Sequence, residues 1–238
     1  MDTAQGSGEH AGEFGPESYR SWRATALGAL TEEIERRLIL DLAGPLQGRA
    51  VLDVGCGDGA LTRAVSEAGA FPVVGCDVDS RMVVRAAALA AENAASISYA
   101  MARAEMLPFR PSSFDIITII TVLTFVPEPQ TALREMARVL RPGGRIVIGD
   151  LGKWSQWAAS RRIRSWREGG MWQAATFRSA GEWRVLVREA GLHVERVTGA
   201  IFFPRCARLA RLMAPLDPLL GRLTTFGAAF LAIQASKR

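Results

Sequence analysis

The sequence predicts an α/β fold in which a mostly parallel β-sheet is flanked by helices. An apolar, β-branched stretch at 51–54 runs into alternating glycines and then into a helical pattern, which is typical of a strand, a tight turn and a helix. Strand-like and helix-like segments then alternate up to residue 150. Residues 114–121 are almost continuously apolar, as expected for a strand that is buried on both faces of a parallel sheet.

Composition places the chain among ordinary globular proteins. Its 238 residues are 49% hydrophobic and 22% charged, which is enough chain for one sizeable core. We expect a disordered tail at 1–17 and a single domain over 18–238, with insertions at 151–178 and 204–225. The formal charge of +5 comes mainly from arginine, much of it after residue 160. Such arginines suit an acidic substrate, a lipid head group, RNA or simply a solvated face.

The cysteines and the N-terminal residues give expectations about location. Cys56, Cys76 and Cys206 have neither metal-ligand nor disulfide-framework spacing, so we expect no metal site and a reducing, cytoplasmic location. Residues 1–18 lack the basic and apolar regions of a signal peptide. No uncharged run reaches the roughly 20 residues that span a bilayer. We therefore expect neither export nor membrane insertion.

Each element is predicted from an apolar pattern and a recognisable end. The first helix is predicted over 18–43, because apolar residues recur at spacings of three and four while charged residues fill the other face. Asp79-Ser80 caps a helix at 81–93, and a capping box at Ser179 and Glu182 opens a helix at 183–190. A helix at 130–140 ends at the glycine-containing turn that follows it. The predicted strands are 51–54, 72–77, 96–101, 114–121, 145–150, 192–203 and 226–235, the last of them antiparallel.

The glycine turn at 55–59 is the main candidate for a ligand site. Glycine accepts positive φ and lets a ligand approach closely, while the N–H groups of the following helix face an anionic group. The spacing Gly55-x-Gly57-x-x-Ala60 also fits the dinucleotide fingerprint, so the glycines alone do not choose between two cofactor classes. Asp77 ends an apolar strand roughly 20 residues further on, where a ribose-binding carboxylate is expected. A surface turn acid is the less favoured interpretation of Asp77.

Asp53, two residues before the first glycine, and several later motifs distinguish these classes. These motifs are A-R-A-E-M-L-P-F at 102–109, V-L-T-F-V-P-E-P at 122–129 and L-R-P-G-G-R-I-V-I at 140–148. Together they resemble the class I S-adenosylmethionine-dependent methyltransferases, in the type 11 or ubiquinone/menaquinone-biosynthesis-like branch. The resemblance is strong from about residue 51 to 150 and weakens on both sides. It implies a Rossmann-like, doubly wound sheet of seven strands with an antiparallel last strand and helical cap insertions.

The resemblance implies S-adenosylmethionine as the cofactor and a set of residues around it. Asp77 would accept hydrogen bonds from the ribose hydroxyls, and the glycine turn would hold the amino-acid end. The family usually has an aspartate that accepts a bond from the adenine amino group where this chain has Arg103, so a backbone carbonyl or Glu105 must serve instead. The implied cofactor-binding residues are Asp53, Gly55, Cys56, Gly57, Gly59, Asp77, Val78, Ala104, Glu105, Ile119 and Thr121.

Methyl transfer from a sulfonium is an in-line displacement, so the protein's main task is to hold the two partners collinear and dry. Neither histidine suits a base, because His10 lies in the predicted tail and His193 begins a strand. Thr124 occupies a place where the family often has a substrate-facing polar residue, and we expect it to orient the acceptor rather than to take a proton. Tyr19 or a carboxylate is the alternative base.

In the resembled family the leading segment folds over the cofactor, which would bring Tyr19, Trp22 and Arg23 to the mouth of the site. An equally favoured interpretation is that the aromatic pair only anchors the first helix to the core. These two interpretations stay open at the level of the sequence.

The acceptor is expected to be a small molecule. The segment 151–178, with four tryptophans among arginines, is the candidate substrate cover, and 204–225 is a candidate pocket wall. The tryptophans suit an aromatic acceptor and the arginines an anionic one. Contact with a membrane or with nucleic acid is less favoured, because the second segment is short and broken by prolines and no nucleic-acid-binding motif is present.

Two other functions remain as alternatives. Arg103 leaves open a methyltransferase-like protein that binds the cofactor without catalysis, as a sensor or an assembly partner. The match from Gly55 to Ala60 leaves open a nicotinamide-dependent oxidoreductase. The sequence predicts neither the identity of the acceptor nor the oligomeric state.

Overall fold

A computed structural model of the chain describes residues 21–92 and 95–238. Its seven strands form one sheet in the order β3-β2-β1-β4-β5-β7-β6. The strand β7 pairs antiparallel with β5 and β6, and the other neighbouring pairs are parallel, which confirms the predicted sheet. The strands are β1 (Val51–Val54), β2 (Val73–Asp77), β3 (Ile97–Met101), β4 (Phe114–Ile120), β5 (Leu140–Leu151), β6 (His193–Ala200) and β7 (Phe230–Ser236).

Helices cover both faces of the sheet. On one face, α4 and α6 pack against Ile117 and Ile119 of β4, whereas on the other face α1, α2 and α5 pack near Ile116. Neighbouring residues of β4 thus enter opposite cores, as the two-residue period of a strand requires. The helices are α1 (Ala26–Ala43), α2 (Ala60–Glu67), α3 (Ser80–Glu92), α4 (Pro129–Val139), α5 (Gln156–Glu168), α6 (Ala180–Glu189), α7 (Ala207–Met213) and α8 (Asp217–Leu223).

Two helical segments interrupt the regular alternation in the places predicted for insertions. The first follows β5 and contains α5 and a short 3-10 helix at Met171–Gln173. The second follows β6 and contains α7, a 3-10 helix at Ala214–Leu216 and α8. None of the helices in the described ranges has the length and apolarity that crossing a membrane requires.

Several element boundaries differ from the prediction for local reasons. The helix α1 begins at Ala26 because the Thr25 side chain accepts a hydrogen bond from the Gly28 N–H at 3.0 Å and caps it there. The predicted tail at 1–17 and Tyr19 lie outside the described residues. The strand β6 ends at Ala200 because Ile201 has a positive φ of 61°, and Asp217 accepts hydrogen bonds from the Ile201 and Phe202 N–H groups at 2.8 and 2.9 Å. The capping box at Ser179 and Glu182 is confirmed.

The sheet reverses its order between β1 and β4, and this arrangement brings the predicted motifs together. Val54 lies opposite Cys76 of β2 on one side and opposite Ile119 of β4 on the other. The carboxyl ends of all three strands therefore meet at one edge, which is where doubly wound sheets bind their ligands.

A buried carboxyl ties this edge together. Asp53 in β1 is 2% exposed, and its carboxylate accepts hydrogen bonds from the hydroxyls of Thr62 in α2 at 2.7 Å and Thr118 in β4 at 2.8 Å. Burial raises the pKa of Asp53 to about 6, although the two hydroxyl donors oppose this rise. The interaction joins three elements directly beneath the glycine turn.

The ionisation of Asp53 makes one stability prediction depend on pH. We expect Thr118→Val to lower the free energy of unfolding by about 2 kcal/mol near pH 8, where the carboxyl is ionised, because a charged group then loses a donor. Near pH 5 the folded protein holds this carboxyl protonated, since its pKa is about 6, and we expect the cost to fall below about 1 kcal/mol. Urea unfolding at the two pH values measures the difference.

The matched control is Thr31→Val. Thr31 is also buried, but its hydroxyl donates to the neutral carbonyl oxygen of Leu27 at 2.7 Å, so the cost of removing it should not change with pH. A cost for Thr118→Val that is equally independent of pH would contradict the ionised state of Asp53.

Candidate active site

A cavity of about 550 Å³ opens at the edge where β1, β2 and β4 end. This volume lies within the range of about 300–1,000 Å³ that is common for small-molecule sites. Its walls come from the glycine turn, the end of β2, the loop at 102–105, the segment 120–127 and one face of α1. The cavity therefore brings most of the predicted motifs into one space.

Each of the three positions in the turn is a glycine for a different structural reason. Gly55 has a φ of +68°, and a Cβ there would lie 2.1 Å from Cγ2 of Val122, so close packing excludes a side chain. Gly57 has a φ of +55°, lines the cavity, and a Cβ there would meet nothing within 4 Å. Gly59 begins α2 with a φ of +78°, and its Cβ would lie 2.5 Å from the Tyr99 hydroxyl oxygen. Gly57 thus leaves room for a ligand, whereas Gly59 shapes the turn without lining the cavity.

Asp77 is held in place by backbone donors on both sides. Its Oδ2 accepts a hydrogen bond from the Gly57 N–H and its Oδ1 accepts one from the Asp79 N–H, each at 2.9 Å. A carboxylate oxygen has two lone pairs, so each oxygen can still accept a bond from a ligand hydroxyl. Val78 is exposed beside it and forms an apolar part of the wall.

The loop at 102–105 contains Arg103, which stands where the family usually has an aspartate. Arg103 forms an ion pair with Glu105 at 2.9 Å, and both residues line the cavity with Ala104 between them. Glu105, one of the two acceptors expected to replace the missing aspartate, is therefore already engaged. The loop continues to Leu107, where Arg138 of α4 donates to the carbonyl oxygen at 3.0 Å and so holds this wall against the helix.

The end of β4 turns sharply into the cavity wall. Thr121 has a positive φ of 55°, and its N–H donates to the Gly149 carbonyl oxygen of β5 at 2.7 Å. This bend brings Ile120, Thr121 and Val122 to the cavity, whereas Ile119 is fully buried in the core below it. Of the residues implied as cofactor contacts, Ile119 and Gly59 therefore do not line the cavity.

The structure differs from the expectation at Thr124. Its side chain is 1% exposed and does not line the cavity. The Thr124 hydroxyl donates to Oδ1 of the buried Asp150 at 2.6 Å, an acceptor 26 residues away that the local motif does not reveal. A substrate-facing role for Thr124 does not fit this geometry, because its hydroxyl is used to join the segment after β4 to the end of β5.

The helix α1 lines the cavity with part of its charged face. Glu32, Glu35, Arg36 and Ile39 line the cavity, although the charged members were expected on the polar face of the helix. Glu35 and Ile39 are four residues apart and so share a face. Burial raises the pKa of Glu35 to about 8; nearby Glu32 adds to this rise and Arg161 of α5 opposes it.

A salt bridge fastens α1 to the glycine turn. The Arg23 guanidinium donates to Asp58 at 2.8 and 3.0 Å and to Glu32 at 2.7 Å. Asp58 belongs to the turn and Glu32 to α1, and both line the cavity. Arg23 therefore lies at the mouth of the site, as one interpretation of the sequence had it, while Trp22 packs against the core below α1.

The tryptophans of 151–178 do not form the expected substrate cover. No described tryptophan lines the cavity. Trp157 is buried and donates its indole N–H to the Phe203 carbonyl oxygen at 2.9 Å, because a buried indole needs an acceptor. Trp172 lies 5.7 Å from the ring of Phe125, which does line the cavity, so this part of the segment supports the wall from behind. Trp154 and Trp166 are exposed.

Other predicted chemistry is also placed away from the cavity. His193 lies exposed on β6, with its Nδ1 3.1 Å from the Arg238 guanidinium, and does not line the site. Cys56 lines the cavity and Cys76 lies beneath it, but burial raises the pKa of both thiols, that of Cys76 to about 12. Neither thiol is therefore suited to act as a nucleophile. Within the described ranges, no cluster of His, Cys, Asp and Glu is placed to hold a metal ion.

The sheet order and the ligand cavity at its reversal define a Rossmann-like α/β protein. The sequence matches the methyltransferase-domain family over residues 52–148. It is 31% identical over 184 residues to a ubiquinone biosynthesis O-methyltransferase of Thiobacillus denitrificans, an alignment that covers 75% of this chain and 78% of the relative. The chain belongs to the class I S-adenosylmethionine-dependent methyltransferases, in the type 11 branch.

Two further proteins agree with this assignment. The 27-O-demethylrifamycin SV methyltransferase of Amycolatopsis mediterranei is 33% identical over 176 residues, covering 70% of this chain and 63% of that relative. The solved structure of an S-adenosylmethionine-dependent methyltransferase from Thermotoga maritima superimposes with a TM-score of 0.70 at 22% identity, covering 93% and 95% of the two chains, and this likeness shows the fold. The protein is an enzyme that transfers a methyl group from S-adenosylmethionine to a small-molecule acceptor. The oxidoreductase alternative is thereby set aside.

The open position at Gly57 and the free lone pairs of Asp77 fit this cofactor, and they yield a binding prediction. We expect Gly57→Ala to weaken S-adenosylmethionine binding at least about tenfold, because the new Cβ occupies the approach to the turn. The positive φ should also cost roughly 1–2 kcal/mol of stability. Calorimetric titration measures the affinity, and thermal unfolding measures the stability.

Gly143→Ala is the matched control for Gly57→Ala. Gly143 has a φ of +75°, and its Cβ would also meet nothing within 4 Å, but it lies near the start of β5 and not at the cavity. We expect the same loss of stability with no loss of affinity. Equal affinity losses in the two variants would show that backbone strain, and not cavity access, explains the effect.

The Arg103–Glu105 ion pair yields a second binding prediction. We expect Arg103→Asp to bind S-adenosylmethionine several-fold more tightly than the natural chain, because it frees Glu105 and adds an acceptor beside it. Arg81→Asp controls for the general effect of charge on a cationic cofactor, since Arg81 forms a similar exposed ion pair with Asp79. Equal gains in affinity from both substitutions would contradict a specific role for the 103–105 loop.

Proposed function

We propose that this enzyme methylates a hydroxyl oxygen on a small molecule with an aromatic or other apolar ring. The observation that carries the proposal is the apolar part of the cavity wall. Ile39 of α1 and the segment from Ile120 to Pro127 contribute to this wall, with Phe125 as its aromatic ring. One relative is named as a ubiquinone biosynthesis O-methyltransferase and another as a 27-O-demethylrifamycin SV methyltransferase, which supports oxygen as the acceptor atom.

The cofactor is proposed to lie along the more polar part of the same cavity. When bound, S-adenosylmethionine supplies a methyl group that its sulfonium charge activates. The N–H groups of the glycine turn and Asp58 would receive the amino-acid end, Asp77 would accept the ribose hydroxyls, and Val78 with Ala104 would contact the base. The chain's contribution to the reaction is then chiefly to position the two partners and to exclude water.

The charges of the cavity favour an aromatic acceptor over an anionic one. Among the described lining residues, seven are acidic and two are basic. The two cations are engaged, since Arg36 is paired with Glu33 and Arg103 with Glu105. Four of the acidic residues are paired with arginines as well, but in the described structure Asp77 is held by backbone N–H groups and not by a cation. Its charge suits a cationic cofactor and disfavours an anionic acceptor. The acidic residues are Glu32, Glu35, Asp53, Asp58, Asp77, Asp79 and Glu105.

We also infer a reducing, cytoplasmic compartment for the enzyme. Cys56, Cys76 and Cys206 are all free thiols in the structure. Secreted proteins more often use their cysteines in disulfides. The support for this location is therefore the state of the cysteines.

A panel of four acceptors tests the proposed function. The purified protein is incubated with methyl-labelled S-adenosylmethionine and catechol, 3,4-dihydroxybenzoate, cyclohexanol or benzylamine. We expect label on a catechol oxygen, identified as the O-methyl ether by mass spectrometry, and at least about tenfold slower transfer to the dihydroxybenzoate, because its carboxylate meets the acidic lining.

Gly57→Ala serves as the cofactor-site control in this panel and should reduce transfer to every acceptor. Transfer to benzylamine without transfer to any hydroxyl compound would overturn the assignment of oxygen as the acceptor atom. A dihydroxybenzoate rate above the catechol rate would overturn the preference against anions.

A further inference from the structure

We propose that Glu35 of α1 is the catalytic proton acceptor for the acceptor hydroxyl, an assignment that rests on the O-methyl transfer proposed above. In the sequence, Glu35 lies on the charged face of the first helix, and the motifs of the central sheet do not include it. The inference therefore comes from the three-dimensional position of the residue.

The position of Glu35 is fixed by the packing of α1 on the sheet. Ile39 lies over the ends of β4 and β5. Its Cδ1 and that of Ile120 are so close to Gly149 that a Cβ built on this glycine would lie 3.1 and 3.0 Å from them. Glu35 precedes Ile39 by four residues, lies on the same helix face and lines the same cavity. Its carboxyl therefore belongs to the wall formed by α1, together with the apolar residues proposed to contact the acceptor.

Glu35 also differs from the other carboxyls of the cavity in having no bonded partner. Among the described residues, no donor lies within hydrogen-bond distance of its carboxyl and no cation lies within 4.0 Å. The other acidic lining residues all have such partners. Asp53 is held by two threonine hydroxyls, Asp58 and Glu32 by Arg23, Asp77 by two backbone N–H groups, Asp79 by Arg81 and Glu105 by Arg103.

The groups that face Glu35 suit a proton acceptor. On α1, Glu32 raises its pKa, and Arg36 beside it is engaged by Glu33. From α5, Arg161 lowers the pKa, and its guanidinium lies 4.5 Å from the ring centroid of Trp172 without pairing with a carboxylate in the described structure. From the second insertion, Arg205 acts on Arg161 by repulsion and not directly on Glu35.

The balance of these influences, dominated by burial, raises the pKa of Glu35 to about 8. An ordinary phenol has a pKa of about 10, so the raised value makes this carboxylate a better match for a phenolic proton than an exposed glutamate with a pKa of about 4.3. The geometry places the group at the acceptor, and the pKa makes it a stronger base there.

The proposed step balances atoms and charge. Glu35 takes the proton from the acceptor hydroxyl while that oxygen uses an electron pair to form its bond to the methyl carbon. The carbon–sulfur bond breaks, and its electron pair stays on sulfur as a neutral thioether. Glu35 is left as a neutral carboxylic acid and returns its proton to solvent before the next turnover.

The test replaces Glu35 by glutamine and uses catechol as the acceptor. We expect kcat to fall at least about 100-fold with little change in the KM for catechol, because the substitution removes the base and keeps the shape. The natural chain should show kcat/KM rising with pH to a plateau above about pH 8, and this limb should be lost in E35Q. Glu35→Asp should recover part of the activity, since it restores a carboxylate on a shorter side chain.

Two measurements besides activity show whether the E35Q variant is folded and still binds the cofactor. S-adenosylmethionine affinity should stay within about twofold of the natural value, whereas a residue that mainly balances the cofactor charge would lose affinity. The folded-state pKa of Glu35 lies above its ordinary value, so ionisation destabilises the fold as pH rises from about 4.5 to about 8. The melting temperature of E35Q should therefore rise relative to that of the natural chain as the pH increases across this range.

Asp41→Asn is the matched control, because Asp41 lies on the same helix, forms a loose ion pair with Arg196 at 4.0 Å and does not line the cavity. It should keep both kcat and the pH profile. An E35Q variant with unchanged kcat and pH profile would overturn the role of Glu35 while leaving O-methyl transfer in place. A natural enzyme that methylates none of the hydroxyl compounds would overturn both proposals.

Discussion

The hydrogen bonds to the buried Asp53 carboxyl are the constraint on which the site depends. They join β1, α2 and β4 at the level where the glycine turn leaves the sheet. Burial raises the pKa of Asp53, and Asp77 at the end of β2 adds to this rise, so two acids lie close together at this edge. The architecture therefore places acidic groups at the cavity in which we propose that the cationic cofactor binds.

The charge of the whole chain and the charge of the cavity have opposite signs. The formal net charge is +5, yet seven of the nine charged residues in the described cavity lining are acidic. Several arginines of the two insertions lie against aromatic rings instead: Arg161 and Arg205 both lie 5.5 Å from the ring centroid of Trp157. Cation–π contacts of this kind stabilise the packing of the insertions. A basic composition is thus no guide to the charge of the acceptor.

The central sheet and the cavity wall next to the glycine turn were predictable because their signals are local. A strand, its glycine turn and the following helix are adjacent in sequence, and Asp77 ends an apolar strand. Thr124 was placed wrongly because the partner of its hydroxyl, Asp150, comes from another strand. Glu35 was missed because helical periodicity separates polar from apolar faces but does not say whether a polar face meets water or a cavity.

The helix α1 connects the glycine turn with the central sheet. Arg23 holds it to Asp58 of the glycine turn, Ile39 seats it over β4 and β5, and Arg145 of β5 donates to the carbonyl oxygen of Ala43 at its C-terminal end at 2.7 Å. With both ends held, the intervening turn of α1 that bears Glu35 is tied to the glycine turn and to the sheet. The residue proposed to take the proton and the residues proposed to hold the methyl donor are therefore fixed relative to one another, which is the geometric requirement of an in-line transfer.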